Sequence, residues 1–178
     1  TYIAADTLFS GVRKRDKDSS AIINDTLKTT TVITNNSDTS IRYFLAFHHV
    51  RIFNDSLQAV CDSLHYSDED STFRLFNEPI IFSKNSQVSG DTIHLFTKNK
   101  KMDRIYVFDN GIIVNKANPK MYNQISGRTL NGFFEDGALT YMRIKGQPAE
   151  SIFYPQDKDS AYTGMNWAKS DVIDVLFE

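Results

Sequence analysis

The 178 residues are the size of one domain, long enough to bury a core without disulfides or metals, and their 13 Phe and 8 Tyr favour pleated strands. A formal charge of −2 gives no broad basic surface, which argues against nucleic acid as a partner. The single cysteine, Cys61, excludes an internal disulfide while leaving the compartment open, and no apolar run approaches the roughly 18 residues that span a bilayer.

The chain opens at Thr1 with neither an initiator Met nor a signal-peptide pattern, so it reads as a piece of a longer protein whose targeting signal lies elsewhere. Residues 11–40 are crowded with Asp, Ser, Thr, Asn and Lys, a composition that seldom packs a core. They read as a polar insertion with one short strand around 31–34. From Arg42 onward, apolar alternation over 5 to 10 residues recurs between turn signals, and helical spacing is sustained nowhere. Those signals are Phe53-Asn54-Asp55, Ser67-Asp68-Glu69-Asp70, Asn77-Glu78-Pro79, Lys84-Asn85-Ser86, Asp109-Asn110-Gly111, Asn118-Pro119, Glu135-Asp136-Gly137 and Gln156-Asp157. Asp-Asn-Gly and Glu-Asp-Gly predict the tightest hairpins, because Asn and Gly accept the positive φ of such turns. The expected fold is a single all-β domain over 1–178, an antiparallel meander with very little helix.

One pattern recurs five times. Aligned on Asp6, Asp62, Asp91, Arg128 and Asp171, each copy has a small residue just before it (Ala5, Cys61, Gly90, Gly127, Ser170). An apolar or small residue stands three before (Ile3, Ala59, Val88, Ile125, Ala168), and an aliphatic one two after (Leu8, Leu64, Ile93, Leu130, Ile173). Side chains alternate faces along a strand, so the apolar set changes parity at every copy. For both sets to face one core, the strand must bulge or turn a corner there, with the small residue allowing close backbone stacking. Spacings of 56, 29, 37 and 43 residues predict a stacked unit of two or three strands with loops of variable length.

The segment from Phe47 to Leu64 (FHHVRIFNDSLQAVCDSL), then Phe76-Asn77-Glu78-Pro79-Ile80-Ile81 and Val88-Ser89-Gly90-Asp91-Thr92-Ile93, resembles successive elements of the OstA-like family. That superfamily includes the lipopolysaccharide-transport proteins LptA and LptC. Ile125-Ser126-Gly127-Arg128-Thr129-Leu130 with Phe133 continues the likeness, GQPAESIFY from Gly146 closes it, and ADTLFS from Ala5 is an extra N-terminal copy. The resemblance implies an elongated, V-shaped β-jellyroll (a "β-taco") in the periplasm of a Gram-negative cell envelope. It also implies an interior that holds lipopolysaccharide acyl chains, and open ends that pair with adjacent OstA-like domains, head-to-tail with further copies or with transport partners, in outer-membrane biogenesis. The extra copy suggests a similar domain ahead of this one.

On that reading the groove lining is Ala59, Leu64, Tyr66, Val88, Ile93, Leu95, Ile125, Leu130, Ile173 and Val175, and the corners are Ala5, Cys61, Gly90, Gly127 and Ser170. Lys98, Lys100, Lys101 and Arg104 form the one basic cluster, able to meet lipid A phosphates or to be an ordinary solvated hairpin. No cofactor or catalytic residue is expected. His48 and His49 are adjacent and would point to opposite faces of a strand, without the spacing of metal ligands. Ser63 or Cys61 with His65 lacks an oxyanion loop, and Asp68 with Asp70 sits in an evident turn. The competing expectation is a structural or interaction β-domain of the envelope whose core is closed and takes no lipid.

Overall fold

The computed structural model describes residues 2–14, 40–53, 57–83, 86–99, 101–135 and 138–176. Among them the chain is all-β, with no helix. Its strands are β1 (Tyr2–Ala4), β2 (Thr7–Lys14), β3 (Ser40–Phe53), β4 (Gln58–Ser67), β5 (Thr72–Phe76), β6 (Ile80–Ser83), β7 (Ser86–Ser89), β8 (Thr92–Lys98), β9 (Lys101–Asn118), β10 (Met121–Glu135), β11 (Ala138–Phe153) and β12 (Asn166–Leu176). All twelve join one antiparallel sheet. The pairs β1/β2, β5/β6 and β7/β8 are each one run interrupted for two or three residues, so the sheet is nine rungs wide.

The interruptions line up across the sheet. Pairing skips between Phe47 and Val50 in β3, between Gly127 and Thr129 in β10, and between Lys145 and Ala149 in β11. Every rung therefore bends along one line, and the sheet divides into two halves. Half-sheet I holds β2, β5, β8, the 40–47 part of β3, 63–67, 101–108, 129–135, 138–145 and 172–176. Half-sheet II holds β1, β6, β7, 50–53, 58–61, 111–118, 121–127, 149–153 and 166–170.

The five copies of the repeat are the five odd rungs, which run from half-sheet II to half-sheet I. The expected parity switch is present. Ala59 and Cys61 on one side of the bend and Leu64 on the other belong to the same buried cluster, and so do Val88 with Ile93 and Leu95. The two half-sheets thus face each other across one core, in which Leu75, Ile93, Val107, Leu130, Met142 and Ile144 are each 0% exposed. Burying each such side chain contributes about 1.5–3 kcal/mol, which makes this apolar contact the main force holding the bend shut.

The even rungs cross the bend differently. Three of the four use paired residues of positive φ: His48 and His49 (60° and 52°), Asn77 and Glu78 (62° and 55°), and Asp109 and Asn110 (both 50°). The fourth, β11, crosses between Lys145 and Ala149, where Gly146 has no positive φ. Two expectations are corrected here. Asp109-Asn110-Gly111 is not a hairpin but a corner inside β9, and Asn77-Glu78-Pro79 is likewise the corner between β5 and β6. Positive φ was correctly read at Asn110, but it bends the strand instead of reversing it. Chain reversals do occur at Ser67 to Asp70, at Asn118-Pro119, where Asn118 Oδ1 accepts from the amides of Lys120 and Met121 (2.8 Å each), and between the paired residues Glu135 and Ala138.

The polar insertion is shorter than 11–40. Gly11 to Lys14 extend β2 and Ser40 opens β3, with Lys14 paired to Ser40; the strand expected at 31–34 lies outside the described residues. Tyr43, the cross-strand partner of Gly11, packs against it at the place where a Cβ would stand, which is why a glycine fits there.

Candidate functional site

Two features are candidates for function: the apolar inner faces and the polar ridge outside the bend. The inner faces are assembled by register. Leu8 pairs with Ala46, Ala46 with Leu64, Leu64 with Leu75, Leu75 with Ile93, Ile93 with Val107, Val107 with Leu130, Leu130 with Ile144, and Ile144 with Ile173. This apolar row crosses all nine rungs of half-sheet I.

All ten positions expected to line a groove point inward. Nine belong to the buried cluster or pack against it, and the tenth, Tyr66, stacks on Phe73 with ring centroids 4.3 Å apart. In the middle rungs these side chains fill the space between the halves, with Leu64 at 1% and Ile93 and Leu130 at 0% exposure. Toward the ends the row opens, since Leu8 is 48% exposed and Ile173 and Val175 are half-buried. Phe44, Leu57, Phe73, Met102, Phe134 and Leu139, far from the bend along their rungs, are also only partly buried.

The expected corner residues all lie on the bend. Adding a Cβ to Gly127 would bring it 2.5 Å from Ile144 Cγ2 and 2.9 Å from the Lys145 carbonyl oxygen, and at Gly90 it would strike Val107 and approach the Asp109 carbonyl oxygen to 3.0 Å. Neither glycine has positive φ. Their smallness is a matter of packing, as the repeat implied.

Outside the bend, the aligned Asp residues form a ladder with the even corners. His49 Nδ1 is 2.8 Å from Asp6 Oδ2, and His48 Nδ1 is 3.1 Å from Asp62 Oδ1. Asp62 also accepts from Ser63 Oγ (2.7 Å) and Asn77 Nδ2 (3.2 Å), and hydrogen bonds from Ser63, His48 and Asn77 hold its carboxyl below the usual range. Asn110 Nδ2 donates to both oxygens of Asp91 (3.1 and 3.0 Å), and Arg128 Nε donates to Asp109 Oδ1 (3.1 Å). The backbone joins in, with Asp6 N donating to His48 O and Asp91 N to Asp109 O. An aspartate at the repeat position thus satisfies the strained corner of the neighbouring rung. Two open depressions, about 270 and 650 Å³, lie along this ridge between Asp62, Asn77, Glu78, Asp91 and Asn110.

The two histidines correct the sequence reading. They do not alternate as in a strand; both take the left-handed conformation and each reaches a different aspartate. Sequence reasoning missed this because a His-His pair inside apolar alternation carries no turn signature. The nucleophile candidates are not brought together: Cys61 is buried in the core, its thiol pushed up to about 12 by burial and then by the Asp62 charge, while Ser63 bonds Asp62. His65 sits on the outer face, its pKa lowered by partial burial and then by Arg74, which also holds Asp70. Among the described residues, no three His, Cys, Asp or Glu side chains are placed to hold a metal ion.

The basic cluster also breaks up. Lys98 and Lys101 face each other at the β8–β9 reversal, and Lys100 lies outside the described residues. Arg104 lies on the sheet, with its guanidinium over the Phe96 ring at 4.2 Å on the outer face and, among the described residues, no hydrogen-bond partner for its buried Nε. The register shifts between Met102 and Arg104, so Met102 packs against the core while Arg104 lies on the outer face. No family model, curated protein or solved structure matches the chain.

Proposed function

We propose that this chain is a lipid-carrying domain of the cell envelope, of the OstA-like kind, which shields lipopolysaccharide acyl chains between its two half-sheets and passes them on without chemistry. The observation that carries this reading is the apolar row running unbroken through all nine rungs and emerging, part-exposed, at both ends of the sheet. Each acyl methylene buried there contributes about 0.8 kcal/mol, so a few carbons inserted at an open end bind with no specific polar contact. The sheet edges, unpaired on their outer sides among the described residues, suit hand-over in the periplasm. β1 and β2 bound one side and β12 the other, each with backbone groups able to pair with an adjacent domain. The fold we infer for the lipid-loaded state is the V-shaped jellyroll, with the halves parted opposite the ridge.

A second reading, a closed-core structural β-domain, is favoured by the complete burial of the middle rungs. The two are separated by titrating delipidated protein with lipopolysaccharide and with a fluorescent fatty acid. Saturable binding that weakens when Leu8→Glu or Val175→Glu charges an end of the row supports the carrier. Absence of binding by either probe, in protein that retains its strand spectrum, would establish the closed domain instead.

A further inference from the structure

The outer face of half-sheet II carries a row that no other described residue covers, and its order is the same read from either end. It runs Tyr2, Phe53, Gln58, Phe82 to Gln87 on the middle rung. From there it continues through Val114, Gln124, Ile152 and Trp167. Aromatic or aliphatic residues stand at the first, second, fourth, sixth, eighth and ninth places, and glutamines at the third, fifth and seventh. The aromatic members are open to solvent, Tyr2 67%, Phe53 52%, Phe82 42% and Trp167 58% exposed, while Val114 and Ile152 are half-buried. Half-sheet I differs, for its outer aromatics are interleaved with Arg74, Arg104 and Arg143, two of them engaged by Asp70 and Asp174.

We propose that this face docks on the same face of a second copy of the chain, about a two-fold axis that lies between the sheets, parallel to the strands, and passes beside Gln87. Such an axis sets each rung against the rung equally far from the middle on the other side. Gln87 meets its own copy, Gln58 meets Gln124, Phe82 meets Val114, Phe53 meets Ile152, and Tyr2 meets Trp167.

The neighbouring row nearer the bend obeys the same symmetry. Its register is Ala4, Arg51, Val60, Ile80 and Ser89, followed by Ile112, Ser126, Glu150 and Lys169. The axis brings Arg51 opposite Glu150 of the second copy twice per dimer, Ile80 opposite Ile112, and Ser89 opposite itself, with no like charges facing. Glu150 is already ordered for the role by Lys169, 2.7 Å away, whose ammonium in turn lies over the Trp167 ring. An axis perpendicular to the strands would set Arg51 against Phe53 and forfeit the charge match.

Size agrees. Nine rungs span about 38 Å at a rung spacing of ~4.8 Å. With roughly 200 Å² per aromatic side chain, the half-exposed Tyr2, Phe53, Phe82, Tyr122 and Trp167 leave about 500 Å² open. The aliphatic and amide groups between them raise this to about 800 Å², the share each partner gives to an interface of standard size. A monomer seldom leaves so large an apolar patch bare. Two sheets meeting this way pack aligned, as in a sandwich.

The test is sedimentation equilibrium of the full chain, with cysteine crosslinking. The expected wild-type state is a dimer that Phe82→Glu converts to monomer. Arg51→Glu and Glu150→Arg should each weaken it by about tenfold or more, and their combination should restore it, since the swap recreates both opposite-charge pairs. Gln87→Cys is expected to crosslink to itself under mild oxidation, while Cys61 stays buried and silent. A chain that remains monomeric at several hundred micromolar would overturn the proposal. So would a dimer that crosslinks through Val172→Cys on the β12 edge and not through Gln87→Cys, or a swap that fails to rescue. None of these outcomes bears on lipid binding, so the proposal stands or falls separately from the carrier reading.

Discussion

Gly127→Ala places a methyl group where the corner has no room for it. The new carbon would stand 2.5 Å from Ile144 Cγ2 and 2.9 Å from the Lys145 carbonyl oxygen, both shorter than van der Waals contact. Ile144 is 0% exposed and cannot swing away without leaving a rotamer well, at about 0.5–1.5 kcal/mol. The carbonyl belongs to the strand paired with β10, so relief there requires the two rungs to separate at the bend. Overpacking of this sort costs about 1–3 kcal/mol, and in a chain this long each kcal/mol lowers Tm by roughly 2–4 °C. A fall of roughly 3–10 °C is therefore expected for Gly127→Ala and a larger one for Gly127→Val, read from thermal melts and from urea midpoints. Ser170→Ala holds the same repeat position on the exposed β12 edge and should shift the midpoint by less than about 0.5 kcal/mol. Wild-type melting of Gly127→Ala would refute the packing argument and with it the structural meaning of the small residue in the repeat.

Replacing 15–39 by Asn-Gly should leave the strand spectrum unchanged and the urea midpoint within about 1 kcal/mol, because Lys14 and Ser40 are already paired and loop closure depends weakly on length; loss of folding would show that the segment contributes to the sheet. His49→Val is expected to destabilise by about 1–2 kcal/mol and His49→Gly to be tolerated, since φ of 52° disfavours a β-branched residue and not glycine; chemical denaturation distinguishes them. Asp174 is held to about 2 by hydrogen bonds from Arg143 (2.8 and 2.9 Å) and Tyr141 (2.8 Å). A carboxyl depressed on folding adds stability at pH values above its unfolded pKa and loses it as pH falls toward 2, so between pH 5 and pH 2 the wild type should lose more stability than Asp174→Asn; parallel pH profiles would exclude the role. The Cys61 thiol, raised to about 12, should react with a thiol reagent at pH 8 only after urea is added, and fast native labelling would contradict its burial.

How much of this was legible in the sequence depended on which rungs carried a shared signal. The odd corners did, because a small residue before an acidic or basic one, with apolar positions changing parity around it, recurs at Ala5, Cys61, Gly90, Gly127 and Ser170. The even corners did not. His48-His49, Asn77-Glu78 and Asp109-Asn110 reach one backbone conformation with different side chains, and the last two look like hairpin turns in isolation. Only the neighbouring rung decides between bending and reversal, by offering an aspartate carboxylate or a backbone amide to the corner. The inward set was readable from alternation, since a buried position needs only to be apolar. Arg104 was misplaced because a charge near a turn looks the same in sequence whether it faces solvent or lies across an aromatic ring. The row from Tyr2 to Trp167 was beyond sequence reading, as it exists only once nine rungs are in register.

The two corner types also constrain how such a chain can lengthen. A corner built from a small residue ahead of a charged one occurs here only on rungs travelling one way, and a left-handed pair only on rungs travelling the other. Duplicating one rung would reverse the direction of everything after it and set two corners of one type side by side at the junction. Duplicating two restores both, adding about 10 Å of sheet while leaving every downstream side chain on its former face. Length in this architecture is therefore quantised in pairs of rungs, and a relative with a longer or shorter sheet should differ from this one by an even number.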